Sequence, residues 1–211
     1  MSHDDFKFEP IRGLPESLPE GEHILWQGAP DPGRLAREAL CLRWIAAYFA
    51  ILVFWRVGVS SADYPFGEAL MHGLPLAILG IIACSIIYVI AYVQAKSTVY
   101  TLTNKRVAMR IGAALTMTLN LPYIWIGNAQ LDRKSDGTGT LVMELMGETR
   151  LSYLMTWPHV RPWTLSKCQP ALRCVPEIDK VAQIFAEAAE TRVSQPQVTR
   201  KSADNNTVAA E

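Results

Sequence analysis

Side chains able to carry metal or covalent chemistry are few and scattered in this chain. The four histidines, His3, His23, His72 and His159, lie far apart in sequence, and none sits in a His-Glu-x-x-His helix. Cys168 and Cys174 have neither a Cys-x-x-Cys nor a zinc-knuckle spacing. A zinc site built on them needs two more ligands, and His159 is the one histidine near them. The expectation is four free thiols, Cys41, Cys84, Cys168 and Cys174, the last two as small half-buried residues. There is no Gly-x-Ser-x-Gly elbow and no phosphate-cradling glycine loop, and "DGTGTL" lacks the third glycine and the strand-to-helix setting of a dinucleotide site. Catalysis needs an acid, base or nucleophile converging on one point. The sequence therefore predicts a protein that is not an enzyme and holds no metal or cofactor. Binding is the chemistry left: a basic turn at Asn104, Lys105 and Arg106, further cations at Arg34, Arg37, Lys96 and Arg110, and small residues at Gly73, Ala77, Gly80 and Cys84.

Two apolar blocks must position these residues. Basic and acidic residues number 20 each, so net charge gives no attraction to nucleic acid, while the 50% apolar content is high and concentrated in two runs. "GLPLAILGIIACSIIYVIAYV" has no charge across 21 positions, enough helix to cross about 30 Å of hydrocarbon. "LCLRWIAAYFAILVFWRVGV" is uncharged between Arg43 and Arg56, which can snorkel outward, and Trp44 and Trp55 suit the two interfaces. Transmembrane helices are expected at 39–59 and 73–95, joined by a loop at 60–72. Arg34, Arg37 and Arg43 precede the first span, and Lys96, Lys105, Arg106 and Arg110 follow the second. The loop has no Lys or Arg and carries Asp63 and Glu68. Positive charge stays on the cytoplasmic side, so both termini are expected there and the loop in the periplasm of a bacterial inner membrane. "MSHDDFKFEP" is acidic and polar, unlike a secretory leader, and the first helix is expected to act as its own insertion signal.

After Lys96 the period changes from helix to strand. "TVYTLT" places Tyr100 and Leu102 on one face with Val99, Thr101 and Thr103 on the other, and "RVAMRI" aligns Val107, Met109 and Ile111 across a polar turn. Met117, Leu119 and Leu121 alternate next, then Leu141, Met143 and Leu145, with a further strand expected in "TRLSYLMTW". Short strands joined by Gly, Asn and Asp turns predict an antiparallel barrel or sandwich over 97–192. A closing helix starts at Pro176, with Glu177 and Asp179 at its positive end and a stripe of Ile178, Val181, Ile184, Phe185 and Ala188 facing the strands. Residues 193–211 are polar and aperiodic and are expected to be disordered. In the segment 1–38, "HILWQG" reads as a short strand or extended arm. Asp31 and Pro32 read as the cap and first turn of a helix continuing through Arg34, Arg37 and Ala39 into the first span. Arg34 and Arg37 would then lie on the cytoplasmic membrane surface.

Two motifs carry a resemblance. "VYTLTNKRV", with Tyr100, Thr103, Asn104 and Arg106 in a Tyr-x-x-Thr-Asn-x-Arg pattern, and the later "PYIWIGNAQLDRKSDGTGTLVMEL" resemble the bacterial pleckstrin-homology domain of membrane-anchored proteins. "LPEGEHILWQGAPDPG" ahead of two spans resembles the PuhB-type photosynthetic complex assembly proteins of purple bacteria. The resemblance implies an α+β membrane protein, a two-helix transmembrane hairpin followed by a cytoplasmic pleckstrin-homology-like β-barrel or sandwich capped by a C-terminal helix. It also implies an assembly factor that binds reaction-centre subunits, the H polypeptide among the candidates, and core light-harvesting intermediates. A homodimer is left open. Gly73, Ala77, Gly80 and Cys84 form a helix-packing seam, expected to join the two spans to each other in preference to another protein. The competing reading is a lipid or stress sensor whose turn at Asn104, Lys105 and Arg106 lies close to the membrane and meets anionic head groups, with Arg34, Arg37, Lys96 and Arg110 as further contacts. Arg106 is better explained as a fold residue of its hairpin. His72, at the mouth of the second helix, could ligate a chlorophyll magnesium but is better explained as a solvated interfacial residue.

Overall fold

The computed structural model describes residues 11–113, 115–147 and 151–194. The N-terminal stretch with His3, and the expected disordered tail beyond Ser194, lie outside the described residues. The elements run in the order β1 (Ile24–Gly28), α1 (Pro32–Glu38), α2 (Leu42–Ser60), α3 (Phe66–Ser97), β2 (Val99–Thr103), β3 (Arg106–Ile111), β4 (Met117–Pro122), a 3-10 turn at Tyr123–Trp125, β5 (Ile126–Arg133), β6 (Gly139–Leu145), α4 (Tyr153–Thr156), β7 (Ala171–Val175) and α5 (Ile178–Val193).

The strands form two antiparallel sheets, β1-β2-β3-β4 and β5-β6-β7, in a sandwich and not a closed barrel. The alternation read from the sequence is the alternation that packs. Tyr100 and Leu102 of β2 face Met109 and Val107 of β3, and Leu119 and Leu121 continue the layer. Leu141 and Met143 of the second sheet and Ile178, Val181, Phe185 and Ala188 of α5 complete one core, each large side chain contributing about 1.5–3 kcal/mol. Ile184 is only half-buried at its edge. β2 is buried on both faces because residues 11–28 cover its outer side. Gly13 sits at φ +84° with the position of a Cβ only 2.6 Å from Val99 Cγ1, so only glycine fits there.

The sheet is completed from the far side of the two apolar helices. "HILWQG" supplies β1, which pairs with β2 from Ile24↔Thr103 to Gly28↔Tyr100. The helical hairpin is therefore an insertion in the β1–β2 connection, and both its ends leave from neighbouring positions of one sheet. The two helices are long and apolar enough to cross a membrane, and they are not core helices, since 0% and 11% of their apolar windows are buried.

Four local expectations are corrected. The helix capped by Asp31, whose Oδ1 accepts from the Arg34 N–H at 2.7 Å, does not run into the first span. It stops after Glu38, and Cys41, at φ 55°, turns the chain into α2 because Leu35 and Ala36 hold α1 down against the end of α3. α3 begins at Phe66, inside the stretch expected as loop, with Pro65 before it. The described part of the "TRLSYLMTW" stretch, residues 151–157, contains the single turn α4 in place of a strand, with Thr156 Oγ1 donating back to Ser152 O at 2.7 Å. Pro176 lies ahead of α5, which starts at Ile178 after Glu177 adopts φ 50°.

Candidate functional site

The two ends of the first sheet differ in chemistry. At the end remote from the helices, the β2–β3 turn grips the segment before β1. Arg106 Nε donates to Glu22 Oε1 at 2.9 Å, and the Thr103 hydroxyl donates to the same oxygen at 2.8 Å while accepting from the Arg106 N–H at 3.0 Å. Asn104 Nδ2 donates to Gly21 O at 2.9 Å, and its Oδ1 accepts from the His23 N–H at 3.0 Å. Lys105 Nζ donates to Glu20 O at 2.9 Å. "LPEGEH" and "TLTNKR", far apart in sequence, are thus halves of one clasp, and Thr103, Asn104 and Arg106 act within it. The turn is not beside the helices as the lipid reading required, because β2 carries it about 16 Å along the strand from the end of α3 at 3.3 Å per residue.

At the other end, where the helices leave, Tyr100 starts a buried relay. The Arg173 N–H donates to the Tyr100 hydroxyl at 3.3 Å, and that hydroxyl lies 2.6 Å from His159 Nδ1. His159 Nε2 lies 3.2 Å from Thr98 Oγ1, and Thr98 donates to Gln94 O, in the last turn of α3, at 2.7 Å. With the Thr98 proton committed to Gln94, His159 carries its proton on Nε2 and accepts from Tyr100 on Nδ1. Burial, with a smaller contribution from the Arg173 charge, lowers the His159 pKa to about 3, so the ring is neutral. Burial likewise raises the Tyr100 hydroxyl far above its ordinary value. His159 is therefore a structural link between α3 and the sheet. Both its ring nitrogens are engaged within this relay, by Tyr100 and by Thr98. Cys168 Sγ lies 3.4 Å from Thr156 Oγ1, and burial, with the Glu38 carboxylate adding to it, pushes the Cys174 thiol up to about 12. Both thiols are buried, not half-buried, and among the described residues no three His, Cys, Asp or Glu side chains could hold a metal.

The remaining sequence candidates separate by position. Arg37 and Lys96 stay exposed beside the helix ends, Lys96 with Nζ 5.7 Å from the Tyr92 ring centroid. Arg34 is tied to Asp136 and, at 3.6 Å, to Glu38, so it braces α1 against the β5–β6 turn. Arg110 is 3% exposed and withdrawn from any surface contact. Within the hairpin, Cβ positions at Gly73 and Gly80 would fall 2.7 Å from Val57 Cγ2 and 2.8 Å from Phe49 Cβ. Both glycines are thus spent on the α2–α3 contact, and Ala77 and Cys84 line the groove beside it with Gly80. His72 lies inside α3, edge-on to Tyr64 with ring centroids 4.8 Å apart. Glu22 and His159 were the residues sequence reasoning did not place: Glu22 could have been sought as the acid facing the "TNKR" cation, but nothing local to "TWPHV" marks His159.

The sequence is similar to those of known proteins. The family model described as "Bacterial PH domain" matches residues 42–189. A Rhodobacter capsulatus protein, described as an uncharacterized 23.7 kDa protein in the puhA 5′ region, is 42% identical over an alignment of 206 positions that covers 94% of each chain. A crystal structure of a DUF1696 family protein with a pleckstrin-homology domain from Shewanella loihica PV-4 is 12% identical with a TM-score of 0.30, over 44% of this chain and 71% of that one. With the family model covering well over half its length, the chain belongs to the bacterial PH domain family.

Proposed function

We propose that this protein is a membrane-anchored assembly factor for a photosynthetic reaction centre and its core light-harvesting complex, acting by protein–protein binding and without catalysis. The observation that carries the reading is the near full-length, 42% identity to a Rhodobacter capsulatus protein whose name places it beside puhA. It agrees with the PuhB-type resemblance of the "LPEGEHILWQGAP" segment, which here forms the clasp and β1. The helices sit in the inner membrane with both termini cytoplasmic. The domain, rigidly joined to α3 through Thr98 and His159, holds the cytoplasmic face of a reaction-centre subunit, H among the candidates, while α2 and α3 touch its membrane part. In this reading the protein acts by mass action on an assembly intermediate and leaves the finished complex unaltered.

The test is deletion in the phototrophic host. Near-infrared absorption of reaction centre and core antenna should fall and photosynthetic growth slow, with dark respiratory growth unchanged and the remaining complexes spectrally normal. A normal number of complexes with altered spectra would overturn the binding reading, and a growth defect in both conditions would favour a general lipid or stress function.

A further inference from the structure

The end of the sandwich from which α2 and α3 emerge carries a rim of large apolar side chains that none of the described residues covers. Leu154 is 85% exposed, Met155 65%, Trp163 92%, Leu165 69% and Leu115 83%, with Trp157 beside them. These are not the side chains of a loose loop. Thr156, Pro158, His159 and Val160 between them are buried, Arg161 N donates to Gln169 O at 2.9 Å, and Val160 bridges Pro170. The backbone is fixed and presents the apolar groups outward. Trp163 is held at φ 64°, a conformation unfavourable for a bulky residue, and it is still solvent-exposed.

Three anchors place this rim at the helix end. His159 meets Thr98, the residue capping α3. Arg161 and Pro162, just before Trp163, line a pocket whose other wall includes Glu38, the last residue of α1 ahead of α2. The β3–β4 turn that carries Leu115 is brought to the same end by register, since Val99 opposes Arg110 and Ile111 opposes Met117. Trp44 near the start of α2, and Tyr92 and Val93 in the last two turns of α3, are likewise exposed, so apolar side chains stand on the ends of the helices as well as on the rim. Contiguous exposed apolar surface on a folded domain marks an interaction site, and Trp with Leu is the composition of the interfacial layer of a bilayer.

We infer that the rim formed by Leu115, Leu154, Met155, Trp157, Trp163 and Leu165 is inserted into the interfacial layer of the same bilayer that α2 and α3 cross. The domain then lies down on the membrane instead of standing off it, and its orientation toward any membrane-embedded partner is fixed by lipid contact. The opposite end, with the Glu22–Arg106 clasp and Trp125, faces water. This inference rests on the reading of α2 and α3 as membrane spans.

The experiment uses the full-length wild-type chain in nanodiscs of phosphatidylglycerol and phosphatidylethanolamine doped with a phospholipid bearing a diazirine near the carbonyl end of its acyl chain. Adducts are mapped by peptide mass spectrometry after illumination. Rim residues should be labelled at a yield comparable to Tyr92 and Val93, as expected for side chains lying about 5–10 Å into the head-group and acyl boundary, and several-fold above Trp125. Labelling of α2 and α3 with none on the rim, or equal labelling of rim and Trp125, would overturn the inference while leaving the spans in place. Absence of adducts on α2 and α3 as well would overturn the membrane reading beneath it. A rim protected from lipid but cross-linked to a protein in native membranes would assign it to a protein partner instead and refute the proposal.

Discussion

Acidification should loosen the domain through His159 in particular. In the unfolded chain this imidazole takes up a proton near its ordinary pKa of 6.5; in the folded chain it stays neutral down to about 3. Between those values the unfolded state binds more protons, so stability rises with pH and is lost as pH falls through 6.5, with the loss complete near 3. One unit is about 1.4 kcal/mol, so moving from pH 7 to pH 4.5 costs about 2.5 kcal/mol from this one residue. That figure hardly depends on how low the folded pKa lies, because at pH 4.5 the folded ring is neutral anyway. The structural reason is the committed relay: Nδ1 accepts from Tyr100 and Nε2 donates to Thr98, so a second ring proton would face a hydroxyl that already points at it. Denaturant titrations in nanodiscs at pH 7 and 4.5, for wild type and His159→Gln, separate this from the carboxylates, whose titration is common to both. The variant should be less stable at pH 7, and its loss on acidification should be smaller by about 2.5 kcal/mol. Equal pH dependence in the two proteins would refute the neutral buried histidine and the relay with it.

Arg106→Ala removes the cation from a Glu22 side chain that is only 3% exposed and leaves it the Thr103 hydroxyl alone; the loss should be about 1.5–3 kcal/mol, partly recovered when Glu22→Gln is added. Unchanged stability with lost binding to anionic vesicles would make Arg106 a lipid contact. Gly73→Ala places a methyl 2.7 Å from Val57 Cγ2 and should destabilise the hairpin by about 1–3 kcal/mol, relieved by Val57→Ala. If stability holds and only co-purifying proteins are lost, the seam is intermolecular. Cysteines introduced at Ser61 or Asp63, between α2 and α3, should react with a membrane-impermeant thiol reagent in intact cells, and one at Asp136 should not; the opposite pattern would invert the topology.

Hydrophobic period made much of this fold legible. Tyr100, Leu102, Val107 and Met109 sit where strict alternation puts them, and α5 buries Ile178, Val181, Phe185 and Ala188 of its stripe. What escaped was long-range. "HILWQG" has the alternation of a strand, but no local signal says that its partner lies beyond two spans at Val99–Thr103. The basic turn looked membrane-proximal because it follows a span closely in sequence, whereas a strand advances about 3.3 Å per residue and carries its far end away. "SYLMTW" alternates like a strand, yet His159 must reach Thr98 and Tyr100, and the chain approaches through the tight turn α4.

The insertion itself makes a stringent prediction. Gly28 and Tyr100 are opposed across an antiparallel pair, so a hairpin loop of about 2–5 residues can replace everything between β1 and Thr98. Among the described residues the main core contains none from α1, α2 or α3, and the clasp lies at the other end of the sheet. A chain joined in this way should fold without membrane or detergent and keep the Tyr100–His159 bond. What it loses is the small cluster in which Leu35, Ala39 and Ala95 cover Cys174. The Cys174 thiol, held up to about 12 by burial and by Glu38, should therefore fall towards its ordinary value and become alkylated much faster than in the full-length protein, while Cys168 stays protected beside Thr156. An unfolded or aggregated product would mean that the helices supply part of the domain's core. A folded product with Cys174 still unreactive would mean that α1 does not cover this face.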